Sequence, residues 1–170
     1  MKSIVLFATR HGNTRRVAET MGVALERYGT VQVMGLVDAG TPPEDVDLLI
    51  VGGPTEAHGL TPDVDAYFSR LPAGGLENVM AAAFDTRLNW PHFVSGSAAD
   101  AIARRLEMAG AEVLRPQGSF LVTMKPELRP GELARASDWA LDIGERAAAT
   151  VARRHAAAAP AAPTAAGGAS

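Results

Sequence analysis

The sequence predicts an α/β fold, a doubly wound parallel sheet of five strands with helices on both faces. Short unbroken apolar runs alternate with segments whose apolar side chains recur at helical spacing. The runs lack the in–out alternation of a half-exposed strand, as expected of strands covered on both faces. Glycine or proline stands at most of the changeovers.

Residues 4–8 form the first apolar run. From Asn13 to Tyr28 the period changes: Val17, Met21, Leu25 and Tyr28 share one helical stripe, while Arg15, Arg16, Glu19 and Glu26 face elsewhere. Gly29 ends that helix as a C-cap. Residues 30–36 read as the second strand and 47–51 as the third, closed by Gly52-Gly53-Pro54, through which neither strand nor helix is expected to run. Val64, Tyr67, Phe68 and Leu71 mark a short helix stopped by Pro72 and Gly74-Gly75. Residues 79–84 make a fourth strand. Ala98, Ile102, Leu106 and Ala109 mark another helix, ended by Gly110. Residues 112–114 and 119–124 read as one fifth strand, broken around Pro116 and Gly118. Ala136, Ala140, Ile143, Ala147 and Val151 are the stripe of a last helix that begins near Glu132. The domain is expected to span 1–154, and 155–170 to be a disordered tail of Ala, Pro and Gly.

A length of 170 residues suits one domain with a substantial core. A formal charge of −3 points to neither nucleic acid nor an anionic membrane as partner. The absence of cysteine excludes disulfides, thiolate metal sites and thiol catalysis. No apolar run approaches the ~20 residues of a membrane span. The N-terminus has no basic–apolar–cleavage succession, so a cytoplasmic location is expected.

In an open parallel sheet, ligands bind beyond the carboxyl ends of the strands. The loops after Ala8, Val51 and Phe84 are therefore expected to converge. The first is the most informative: Thr9 and Thr14 supply hydroxyls, Gly12 admits close backbone approach, and the next helix begins at about Asn13. Its unbonded N–H groups point back into the loop and, with the helix dipole, make a site for a dianion. Arg10 adds a charged donor. The alternative is a plain turn from strand to helix, capped by a Thr or Asn.

As a set, these residues resemble the flavodoxin family. Val5-Leu6-Phe7-Ala8-Thr9-Arg10-His11-Gly12-Asn13-Thr14 follows its pattern of an apolar strand, a hydroxyl residue, a small-residue loop and Gly-Asn-Thr opening a helix. Leu49-Ile50-Val51-Gly52-Gly53-Pro54-Thr55 matches its third strand, Gly59 lies where the family keeps a glycine, and Ala81-Ala82-Ala83-Phe84-Asp85-Thr86-Arg87 looks like its strand ending beside the flavin ring. The likeness covers residues 1 to about 150. It implies strand order 2-1-3-4-5 and an FMN cofactor. Thr9, Arg10, His11, Gly12, Asn13 and Thr14 would hold the phosphate. Pro54, Thr55, Glu56, Ala57, His58 and Gly59 would meet the ribityl chain and one edge of the ring, and Phe84, Asp85, Thr86 and Arg87 the other side. The implied activity is electron transfer or that of a small flavin oxidoreductase, with a partner protein or a small-molecule or quinone acceptor. Where many flavodoxins stack aromatic side chains on the ring, the second loop here has Glu56, Ala57 and His58, and Trp90 is a stacking candidate.

Two other functions compete. A chain with this fold that has lost FMN would serve as an interaction or regulatory module. Arg10-His11-Gly12 after a strand also resembles the opening of a histidine phosphatase, with His58-Gly59 as its second His-Gly, but a clamping Arg and an acid are not identifiable. The remaining charged groups read as solvated faces: Arg104-Arg105, Arg153-Arg154, Asp138 and Asp142, with Asp63 and Asp65 favouring a helix N-terminus. No His/Asp/Glu cluster has metal-ligand spacing.

Overall fold

The computed structural model describes residues 1–42, 45–55, 60–89 and 97–158. Its elements run β1 (Lys2–Phe7), α1 (Asn13–Leu25) with a 3-10 turn at Glu26–Tyr28, β2 (Thr30–Gly35), β3 (Leu48–Pro54), α2 (Pro62–Arg70), β4 (Met80–Leu88), α3 (Ala98–Met108), β5 (Glu112–Val113), β6 (Gly118–Val122) and α4 (Glu132–Ala158). The strands pair in parallel in the order β2-β1-β3-β4-β5, and β6 also pairs with β4. The fifth position in the sheet is thus one broken strand. Glu112 and Val113 lie beside Met80 and Ala81, and Gly118 to Val122 beside Phe84 to Leu88. The order is the one expected from the sequence.

Because successive side chains in a strand point to opposite faces, the unbroken apolar runs feed two cores. Ile4, Leu6, Leu49, Val51, Ala81 and Ala83 pack against Val64, Tyr67 and Phe68 of α2 and Ile102, Ala103 and Leu106 of α3. Val5, Leu48, Ile50, Met80, Ala82 and Phe84 pack against Val17, Met21 and Leu25 of α1 and the full Ala136–Ala140–Ile143–Ala147–Val151 stripe of α4. Among the described residues, no helix is long and apolar enough to cross a membrane.

Two strands outrun the sequence-based expectation. β3 continues through Gly52-Gly53-Pro54, and both glycines pack closely. A Cβ on Gly52 would overlap the Phe84 ring, and one on Gly53 would lie 3.4 Å from Val64. Pro54 is tolerated because β1 has ended: its last paired residue, Phe7, stands opposite Gly52, and the Thr55 N–H already bonds Thr86 on the β4 side. The proline nitrogen, one residue out of phase, faces a vacated edge. β4 runs on to Leu88, so Asp85, Thr86 and Arg87 are strand residues with fixed alternation, not a loop. At the other end of the chain, α4 extends four residues past Arg154, through alanines of high helix propensity. Residues 159–170 lie outside the described residues.

Candidate functional site

A cleft of about 270 Å³ opens at the carboxyl ends of β1, β3, β4 and β6. It is lined on one side by Thr9, Arg10, His11, Asn13 and Thr14, and on the other by Pro54, Thr55, Thr86, Arg87 and Leu88, with Val122, Thr123, Met124 and Pro126 closing it. The first loop and the carboxyl ends of β3 and β4 therefore converge, with a fourth wall after β6.

The first loop folds by its own chemistry. Gly12 has φ +82°, a left-handed conformation that glycine adopts without a Cβ penalty. Its N–H donates to Thr9 Oγ1 at 3.0 Å, closing the turn. Gly12 is itself the N-cap of α1, so neither Thr14 nor Asn13 plays the capping part that a plain turn would give them. The first helical hydrogen bond runs from the Arg16 N–H to the Gly12 carbonyl, which leaves the N–H groups of Asn13, Thr14 and Arg15 with no helical acceptor. The N-cap residue has no side chain to cap this end, and no acidic residue stands in the first turn. Asn13 is buried, and its Nδ2 donates to the Pro126 carbonyl at 2.6 Å, tying the fourth wall to the helix. Thr14 is 1 % exposed, its hydroxyl 2.9 Å from that of Thr86 across the cleft floor.

Alternation along β4 sorts the third predicted group. Phe84 is fully buried in the α1–α4 core, in edge-to-face contact with Phe120, and does not reach the cleft. Strand geometry places this residue, expected beside the flavin, with its ring in the core, where it fills the space that Gly52 leaves. Thr86 and Arg87 do line the cleft. Asp85 lies beneath it, fully buried, and its carboxylate accepts hydrogen bonds from Thr55, Ser97, Ala99 and Ser119. Since Ala99 is in the first turn of α3, Asp85 supplies the anion for that helix N-terminus.

Glu56, Ala57, His58, Gly59 and the stacking candidate Trp90 lie outside the described residues. The wall from Val122, Thr123, Met124 and Pro126 was missed, although a signal existed. The fifth strand was placed to end at Met124, and its carboxyl end belongs to the binding edge as much as the others do. An antiparallel bridge between Val122 and Leu128 and a bond from the Thr123 N–H to the Glu127 carbonyl fold that segment over the cleft.

The chain matches no family profile, and no curated protein is found to match it. Solved structures do. A flavodoxin from the domain Archaea superposes with TM-score 0.69 at 22 % identity, over 86 % of this chain and 99 % of that one. Flavodoxin 1 from Bacillus cereus gives 0.70 at 20 % identity, over 82 % and 95 %. The flavodiiron protein from Giardia intestinalis gives 0.73 at 18 % identity, over 89 % of this chain but 37 % of that one. Strand order, crossover pattern and these superpositions agree: this chain has the flavodoxin-like fold.

Proposed function

We propose that the cleft binds FMN, with the phosphate against the N-terminus of α1, and that the protein is a flavin redox protein, either an electron carrier or a small oxidoreductase. The observation that carries this reading is a contrast between two helix ends at the same edge of the sheet. The α3 N-terminus has its own buried anion in Asp85, while the α1 N-terminus has, among the described residues, neither a capping side chain from its N-cap residue nor an acidic residue in its first turn. An oriented set of N–H groups lined by hydroxyls and flanked by Arg10 and His11 fits a phosphate dianion. Bound FMN would supply one- and two-electron transfer. The chain's own residues then have three tasks. Asn13, Thr14 and Arg15 offer backbone N–H groups and Thr9 and Thr14 hydroxyls to the phosphate. Pro54 and Thr55 line the cleft from β3, and Arg87, Leu88, Val122 and Met124 from β4 and the segment of β6 and beyond. The partner on this reading is a redox protein or a small-molecule or quinone acceptor reaching the flavin through the open mouth.

The phosphohistidine reading is disfavoured, because the described residues lining the cleft include no carboxylate to act as its acid. One observation favours a chain that keeps the fold without FMN: the described lining residues include no Phe, Tyr or Trp to stack on a flavin. A single titration separates the two. The purified protein, stripped of any bound flavin, should quench FMN fluorescence saturably at one equivalent and turn yellow. Failure to bind FMN would leave the interaction-module reading standing.

A further inference from the structure

The Asp85 carboxylate and the serine beside it have no part in holding FMN as proposed. Three donors converge on Asp85 Oδ2: Thr55 Oγ1 at 2.9 Å, Ser97 Oγ at 3.1 Å and the Ala99 N–H at 3.2 Å. Ser119 Oγ donates to Oδ1 at 2.7 Å. On its other side the same hydroxyl accepts the Nε–H of Arg87 at 2.7 Å. A hydroxyl has one proton and two lone pairs, so an oxygen that donates to the carboxylate serves the guanidinium as acceptor, and the chain Arg87–Ser119–Asp85 has a single polarity. The sheet builds it. Asp85 and Arg87 share one face of β4, and the parallel register sets Ser119 opposite Asp85. A sealed anion and a cation on the cleft wall are thereby joined through one oxygen atom.

We propose that Ser119 is a positioning residue: anchored on Asp85, it holds the Arg87 guanidinium against the cleft wall and so sets how strongly the site prefers reduced over oxidised flavin. The proposal rests on the FMN reading. Uptake of two electrons and one proton leaves the flavin ring with one negative charge. A cation fixed at the wall favours that form over the neutral oxidised one. Without Ser119 the guanidinium keeps its contact with the Leu88 carbonyl but loses the Nε–H bond that fixes its place on the wall, and its charge shifts toward water.

The test measures FMN dissociation constants for oxidised protein and for protein reduced anaerobically with dithionite, in wild type, Ser119→Ala, Ser119→Thr and Arg87→Gln. Ser119→Ala keeps every charge and removes both bonds of the link, the one to Asp85 Oδ1 and the one from Arg87 Nε. Its preference for the reduced flavin should fall about tenfold, a drop of about 30 mV for the two-electron couple. Ser119→Thr, which keeps the hydroxyl, should restore most of that preference. Added to Arg87→Gln, Ser119→Ala should have no further effect on the ratio, since the two act as one unit. A role in folding alone would lower thermal stability and leave the ratio unchanged, and that result would overturn the proposal while FMN binding stood. Wild-type protein that takes up no FMN would overturn both.

Discussion

Replacing Thr14 with valine tests whether the first loop holds a phosphate. The side chain is 1 % exposed and its hydroxyl lies 2.9 Å from that of Thr86. Two hydroxyls in contact use one proton between them, so when Thr86 donates, the Thr14 proton is left to point into the cleft. A hydrogen bond to a charged acceptor is worth about 1.5–3 kcal/mol, and its loss weakens FMN about 10- to 150-fold. Valine keeps the shape of threonine, and riboflavin has the ring and ribityl chain without the phosphate. Its dissociation constant should therefore change by less than about threefold, a difference below 1 kcal/mol. Fluorescence titrations of both ligands, on both proteins and at one ionic strength, measure the four constants. Thr86 also loses its partner, which costs the fold about 1–3 kcal/mol; urea unfolding of the flavin-free protein reads that separately. Equal weakening of FMN and riboflavin, or no weakening of either, would mean that the phosphate lies elsewhere.

Three further outcomes follow from the packing. Gly52→Ala drives a Cβ into the Phe84 ring and should destabilise the fold by about 1–3 kcal/mol; combining it with Phe84→Leu should cost less than the sum of the two, measured by urea denaturation. Gly12→Ala has open space for its Cβ but must hold φ +82°, so it should cost about 1–2 kcal/mol, and Gly12→Asn less, since asparagine tolerates that region; thermal melts rank the pair. Burial pushes the Tyr67 phenol up to about 12, against a smaller opposing pull from Arg70. Between its ordinary pKa of 10.0 and about 12 the folded state keeps a proton that the unfolded state releases, so stability falls as pH rises through that window. Tyr67→Phe should abolish that part of the fall. It should also leave stability at neutral pH unchanged or raise it by about 1 kcal/mol, because the buried hydroxyl has no hydrogen-bond partner among the described residues. Loss of stability in this variant at pH 7 would show that the hydroxyl is satisfied.

The likeness to solved flavodoxins bears on fold, and the residues of the cleft bear on chemistry. From sequence Arg87 is one more cation on a converging loop. In the fold its charge is linked through Ser119 to the buried charge of Asp85, so its influence on a ligand depends on a side chain more than thirty residues away.

What the sequence determined by itself is whatever depends on local periodicity and local backbone chemistry. The unbroken apolar runs placed the strands, the helical stripes placed α1 to α4, and the break around Pro116 and Gly118 divided the last strand in two. The Thr9–Thr14 segment was legible because a turn, a left-handed glycine and a helix start are all written within six residues. Only tertiary structure decided where strands end and what their side chains face. β3 runs through Gly52-Gly53-Pro54 because Phe84 of the neighbouring strand needs the space and β1 has already turned away. By the same register Phe84 is core, Asp85 is a buried anchor, and Thr86 and Arg87 are cleft wall. The wall after β6 closes the cleft through bonds such as that from Asn13 to Pro126, which spans 113 residues. Such contacts join segments far apart in the chain, and no local pattern records them, because each segment keeps its own period whichever neighbour it meets.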